Sequence, residues 1–103
     1  MASTLNRRLE LHAILSDICE NCEFEPPTGL QLTYPCITYH RVNNLTEHAD
    51  NIPYKIATRY TVTVIDTDPD SEIVPKIEQL SGCTYDTHFE NDGLIHDVFT
   101  LYY

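Results

Sequence analysis

The chain has 103 residues, 42% of them hydrophobic, and its 16 acidic residues against six Lys and Arg give a formal net charge of −10. Residues 1–103 therefore fit a single domain with one hydrophobic core, and this apolar content argues against intrinsic disorder. The negative charge argues against nucleic-acid binding through a basic patch. We expect no membrane span, because no run approaches about 20 apolar residues, and no signal peptide, because MASTLNRRLELHAIL lacks a continuous apolar region.

The first predicted element is an amphipathic helix from Thr4 to about Cys19, capped by Ser3 or Thr4. Its apolar residues recur at steps of three and four and predict one buried face. This face contains Leu5, Leu9, Ala13 (or His12), Leu15 and Ile18. The opposite, charged face contains Arg7, Arg8, Glu10 and Asp17.

A connector follows the helix, since ENCEFEPPTGLQLTYP is rich in proline and glycine. We expect a short extended piece near Leu30–Tyr34, and then a strand over Cys36–Val42, which is β-branched and aromatic. The polar stretch Asn43–Pro53 is too long for an ordinary hairpin loop of two to five residues. Loops of this kind often carry function, so we treat it as a candidate contact segment.

The second predicted strand is unusually long. Apolar and polar residues alternate over 11 residues from Tyr54 to Val64, and the strand ends in the acidic stretch that begins at Asp66. Common strands have about 5–6 residues. We therefore predict that part of this strand projects as an arm or pairs with a neighbouring chain.

A second helix and a second hairpin complete the predicted fold. The second helix has an apolar stripe formed by Ile73, Ile77 and Leu80. We expect it to begin at Pro69, or later with Pro75 in its first turn, and to end at Gly82. Strands at residues 83–90 and 94–103 flank Asn91-Asp92-Gly93, a strong turn signal. The predicted fold class is α+β: a four-stranded, mainly antiparallel sheet in the order helix–hairpin–helix–hairpin, with the helices packed on one face.

Alternation assigns residues to the faces of the two hairpin strands. Cys83, Tyr85, Thr87 and Phe89 form one face of the first strand, and Ile95, Phe99, Leu101 and Tyr103, interrupted by Asp97, form one face of the second. His88 and His96 lie on these neighbouring strands, and we interpret them as cross-strand surface histidines that face each other.

The candidate chemical residues give no catalytic motif. Cys19-x-x-Cys22 has no second pair at zinc-site spacing, and Cys36 and Cys83 are interpreted as small buried hydrophobes in a reducing compartment. His48 with Asp50 is a weak pair in a polar loop. The acidic run DTDPDSEI lacks the glycine and the final glutamate of a calcium loop. We predict that the protein is not an enzyme.

Four phrases carry a resemblance to a known family. LHAILSDICENCEFEPPTGLQLTYPCITYHR, HADNIPYK, RYTVTVIDTDPDSEIVPKI and HDVFTLYY resemble the tail completion, or tail terminator, proteins at the head–tail joint of tailed bacteriophages with long, non-contractile tails (siphophages). The likeness extends from about Arg7 to Tyr103. It implies an α+β fold with a central antiparallel sheet and a structural role in the neck of the virion, after assembly in the host cytoplasm.

The resemblance also implies the partners. Members form a homo-oligomeric ring, typically hexameric, that caps the tail tube protein and docks to the head-side connector protein, while duplex DNA passes through without specific binding. The contact residues expected on this basis are His48, Asp50, Asn51, Tyr54, Arg59 and Tyr60. No cofactor is implied, except that Mg²⁺-dependent assembly in some relatives would give Asp66, Asp68 and Asp70 a role as cation ligands.

Two alternatives remain open at this point. One is a head-completion protein on the other side of the same joint, which the sequence separates poorly from a terminator. The other is an acidic inhibitor that mimics DNA and occupies the basic groove of a host protein. Its carboxylates would have to follow one face at phosphate-like spacing, whereas the acids here are scattered between turns and helix ends.

Overall fold

The structure of the chain is a computed structural model that describes residues 4–42 and 58–103. Its two helices and five strands are α1 (Thr4–Ile18), β1 (Cys22–Phe24), β2 (Cys36–Arg41), β3 (Arg59–Asp66), α2 (Ile73–Glu78), β4 (Cys83–Asn91) and β5 (Leu94–Tyr102). The predicted α1 and β2 are confirmed to within one residue at their ends. The predicted second strand is found over Arg59–Asp66, and residues 54–57 lie outside the described part.

The strands form one mixed sheet in the order β1-β2-β3-β5-β4. β1 runs parallel to β2, and the other neighbouring pairs are antiparallel. The predicted α+β class is confirmed, but the predicted four-stranded, mainly antiparallel sheet is wrong, because the sheet has five strands and is mixed. The additional strand is Cys22–Phe24, whose three residues are too few to display the two-residue period of a strand. The predicted extended piece at Leu30–Tyr34 contains no strand.

The hydrophobic core lies between one face of the sheet and the two helices. Tyr39 of β2, Val62 of β3 and Phe99 of β5 are neighbours across the sheet and are fully buried. Leu15 of α1 and Ile77 of α2 cover this face and are equally buried. We call it the helix face.

The buried side of α1 agrees with the predicted one only in its C-terminal half. Leu15 is buried and Ile18 packs against the core, as predicted. Leu11 is buried in place of Leu9 and Ala13, which are exposed, Leu9 to 50%. The correction has a simple cause: apolar residues occupy two rows of the helix, and the row through Leu11, Leu15 and Ile18 satisfies the same spacing as the row through Leu9. Arg8 falls on the buried row, so its predicted place on the charged face is also wrong.

α2 is short, and its start explains Pro75. The helix begins at Ile73, so Pro75 lies in the first turn, where the missing backbone N–H breaks no hydrogen bond. This confirms the later of the two predicted starts and excludes Pro69. The helix stops at Glu78, so Gly82 does not end it. Gly82 lies at the entry to β4 and has a φ of +81°.

The second hairpin is confirmed, with one irregularity. Asp92 and Gly93 have φ angles of 55° and 78°, as a two-residue type I′ turn requires. A β-bulge between Tyr85 and Thr87 shifts the register of β4 against β5. The predicted single face Cys83–Tyr85–Thr87–Phe89 is therefore wrong, because the bulge moves Thr87 and Phe89 to the other face of the sheet.

Candidate functional site

The most developed polar cluster of the described residues surrounds Asp97 on β5. Asp97 lies on the helix face and is 5% exposed. Its Oδ1 accepts a hydrogen bond from the Tyr85 hydroxyl at 2.6 Å and lies 2.6 Å from Nδ1 of His88. Tyr85 and His88 are three residues apart and would point to opposite faces of a regular strand. The bulge in β4 places both on the helix face, on either side of Asp97.

The cluster has a defined protonation pattern. The hydrogen bond to Asp97 is the main cause that raises the pKa of Tyr85 to about 12, so Tyr85 remains a hydrogen-bond donor at neutral pH. His88 is a donor when Nδ1 carries its proton, and its side chain is 50% exposed. In the neutral form Nε2 is then an acceptor, and in the protonated form a second donor. The arrangement orients an exposed imidazole at the edge of the sheet for a polar contact.

The predicted pair of facing histidines is wrong. His88 lies opposite Asp97 in the register, and His96 lies opposite Phe89. The rings of Phe89 and His96 stack with centroids 4.6 Å apart and 9° between their planes. The two-residue turn is the reason: with Asn91 paired to Leu94, regular pairing sets Phe89 opposite His96 and His88 opposite Asp97.

The face opposite the helices is rich in threonine, and we call it the threonine face. Two rows of neighbouring residues run across the sheet on this face. The first row is Thr38, Thr63, Val98 and Thr87, and the second is His40, Thr61, Thr100 and Thr84. Threonine favours a strand and offers a hydroxyl on a pleated surface. On this face His40, Thr84 and Thr87 are exposed, whereas Thr38 is buried.

The predicted contact residues are placed as follows. His48, Asp50, Asn51 and Tyr54 lie outside the described residues. Arg59 begins β3 and is half-buried. Tyr60 is fully buried and packs its ring against Tyr39, with centroids 6.0 Å apart, so it belongs to the core rather than to a contact surface.

The acidic run after β3 forms local turns, in which aspartate carboxylates accept backbone hydrogen bonds. The backbone N–H of Asp68 donates to Asp66 Oδ1 at 3.1 Å, and that of Asp70 donates to Asp68 Oδ1 at 2.9 Å. Such bonds are the usual reason for aspartate in tight turns. In residues 4–42 and 58–103 no group of three or more His, Cys, Asp or Glu side chains is placed to hold a metal ion.

The cysteines of the C-x-x-C motif are part of the packing. Cys19, Cys22 and Cys36 are buried free thiols. The Cys19 Sγ–H donates to the carbonyl of Pro35 at 3.5 Å, which ties the end of α1 to the start of β2. Burial raises the pKa of Cys22 to about 12 and that of Cys36 to about 11, so both stay protonated at neutral pH.

Two arginine side chains lie over the ring of Phe24 in β1, a contact that the sequence did not predict. The guanidinium carbons of Arg8 and Arg41 lie 4.4 and 5.8 Å from the centre of the Phe24 ring. Arg8 Nη1 also donates to the Tyr39 hydroxyl at 3.3 Å. His12 Nδ1 forms a second hydrogen bond with the same hydroxyl at 2.7 Å. The contacts with Phe24 depend on β1, which the sequence did not reveal, while the two hydrogen bonds connect α1 to Tyr39 of β2.

Neither the protein-family models nor the curated proteins contain a match to the chain. Neither α1 nor α2 combines the length and the apolar character needed to cross a bilayer.

Proposed function

We propose that the chain is a structural protein of a tailed bacteriophage that forms a hexameric ring at the head–tail joint. In this role it caps the tail tube protein and joins it to the head-side connector protein. The proposal rests on the resemblance of the four quoted phrases. The observation from the structure that supports it best is the exposed edge of the sheet. The helices cover one face of the sheet, while its edge strand β4 is exposed from Thr84 to Asn91. An exposed sheet edge is a ready surface for pairing with another chain.

The charge is consistent with a channel for DNA. With a net charge of −10 per chain, a ring of identical subunits repels the phosphate backbone. Asp68 and Asp70 are exposed, and the carboxylate of Asp68 already accepts a turn hydrogen bond from the N–H of Asp70. Duplex DNA would pass such a surface without specific binding.

Native mass spectrometry over a range of protein concentrations, with and without Mg²⁺, tests the proposal. A discrete hexamer is the expected result, and a strict monomer under every condition would count against the ring. Asp68→Asn is the informative variant for the cation, because the amide oxygen still accepts the bond from the N–H of Asp70 while the charge is lost. Asp92→Asn is its control: it removes an equal exposed charge in another turn that asparagine also tolerates.

Binding assays then separate the two roles at the joint. A terminator binds the tail tube protein, whereas a head-completion protein binds the connector. A monomer that instead binds a basic host protein would replace the proposal by the acidic-inhibitor alternative. Loss of the Mg²⁺ response in Asp68→Asn but not in Asp92→Asn would assign the cation to the acidic run.

A further inference from the structure

The edge strand β4 has two halves of different character. In the described part of the chain β5 lies on one side of β4, and no strand lies on the other. The bulge between Tyr85 and Thr87 distorts the first half, which is a known protection of edge strands against pairing. The second half, residues 87–91, is regular, contains neither proline nor lysine, and exposes Phe89 to 45%. This half is competent for pairing.

The residues of the second half alternate between the two faces. His88 and Glu90 lie opposite Asp97 and Ile95, on the helix face. Thr87, Phe89 and Asn91 lie opposite Val98, His96 and Leu94, on the threonine face. When two copies of this segment pair in an antiparallel manner, their two sheets join into one. Each residue of one copy must then lie opposite a residue of the other copy whose side chain points to the same face of the joined sheet. This condition leaves three central registers.

The charges separate these three registers. With His88 on the two-fold axis, the two imidazoles oppose each other, and Glu90 meets the bulged residue Asp86, whose carboxylate is turned to Thr100 on the threonine face, so no opposite charges are paired. With Glu90 on the axis, the two copies of Glu90 oppose each other. With Phe89 on the axis, His88 lies opposite Glu90 of the second copy on both sides, and the two Phe89 rings meet at the centre. Opposite charges and aromatic pairs stabilise neighbouring strands, whereas like charges destabilise them.

We propose that residues 87–91 pair with the same segment of a second copy of this chain, antiparallel and centred on Phe89. Each imidazole of His88 then lies between the buried Asp97 of its own chain and Glu90 of the other. Each Phe89 ring, already stacked on His96, packs against its symmetry mate. The pairing ends where the turn residue Asp92 of one copy meets the bulged residue Asp86 of the other, because the turn and the bulge interrupt the regular strand there. This inference does not depend on the proposed phage function.

Sedimentation equilibrium of the full chain tests the pairing. The wild type is expected to show a monomer–dimer equilibrium between micromolar and millimolar concentrations, and a monomer throughout would overturn the proposal. Phe89→Asp opposes two charges on the axis and should raise the dissociation constant at least about tenfold. Leu30→Asp is the matched control, since Leu30 is 41% exposed and lies outside β4. Equal weakening by both variants would also overturn it, provided that both unfold with the wild-type midpoint.

A cross-linking experiment reads the register itself. In a Cys83→Ser background, Phe89→Cys should form a cross-linked homodimer with a short bismaleimide, because position 89 lies on the axis. Thr87→Cys and Asn91→Cys should cross-link to each other in a mixture much faster than either does alone. Preferential self-cross-linking at position 87 or 91 would refute this register. If the protein forms a hexamer that Phe89→Asp leaves intact, the pairing is rejected and the proposed ring stands. If it forms a dimer that requires Phe89 but never a hexamer, the pairing stands and the proposed ring is rejected.

Discussion

The buried hydroxyl of Tyr60 gives a prediction whose sign is unusual. Tyr60 is fully buried, and its hydroxyl has no hydrogen-bond partner in the described chain. Tyr39, on the neighbouring strand, is equally buried, but its hydroxyl contacts Arg8 and His12. The substitutions Tyr60→Phe and Tyr39→Phe remove the same atom from adjacent positions in one core. We expect them to change stability in opposite directions.

The magnitudes follow from the two environments. An unpaired buried polar group costs about 1–3 kcal/mol of desolvation, which Tyr60→Phe recovers while the ring keeps its packing. We therefore expect a gain of about 1 kcal/mol after the loss of the oxygen's own contacts. Tyr39→Phe leaves Arg8 and His12 without that partner, which should cost about 1 kcal/mol. The two variants should thus differ by about 2 kcal/mol in the free energy of unfolding.

Urea unfolding followed by circular dichroism measures both effects at pH 7. For a domain of this size, each 1 kcal/mol corresponds to about 4–8 °C in the midpoint of thermal unfolding, so the difference is well resolved. Equal slopes of the urea transitions show that the change lies in stability alone. If Tyr60→Phe destabilises the protein as much as Tyr39→Phe does, the Tyr60 hydroxyl has a partner and the reasoning is refuted.

Three further predictions concern the turn, the Asp97 cluster and the thiols. Gly82→Ala should destabilise the fold more than Gly93→Ala in urea unfolding, because both positions have positive φ but an added Cβ at Gly82 would lie 2.8 Å from a backbone oxygen. The pKa of Tyr85 is raised to about 12, so its stabilising bond is present below pH about 10 and is lost toward pH about 12. The stability difference between wild type and Tyr85→Phe should shrink across that range in pH-dependent unfolding. Cys83, which is half-buried, should be alkylated before the buried Cys22 in timed mass spectrometry, and the reverse order would contradict the packing.

Alternation and turn chemistry are strong enough to predict most of the strands. Val62 and Val64 mark the inward side of β3, and Asp92-Gly93 marks the hairpin, because both signals are local. β1 could not be predicted, since three residues show no period and the strand forms only through its pairing with β2. The buried row of α1 was ambiguous for a related reason: two rows of apolar residues were available, and the tertiary contacts select one.

The candidate site depends on a feature that leaves no mark in the sequence. Tyr85, His88 and Asp97 were all placed on the correct strands, but their convergence requires one extra residue in β4. Regular alternation puts Tyr85 with Thr87 and Phe89, which separates it from His88. The pairing of Phe89 with His96 and of His88 with Asp97 follows from the two-residue turn, but the bulge depends on the sheet as a whole, so the approach of Tyr85 to Asp97 does not follow from local pattern.

The position of β5 in the sheet has a consequence for how the chain folds. β5 follows every other strand in the chain, yet it lies between β3 and β4. During synthesis β3 therefore keeps an open edge until residues up to Tyr102 have left the ribosome. β4 and β5 are local in sequence and can form their hairpin first, and this hairpin then closes the sheet by docking on β3. Folding of the whole domain should thus be completed after translation of β5, in one late step.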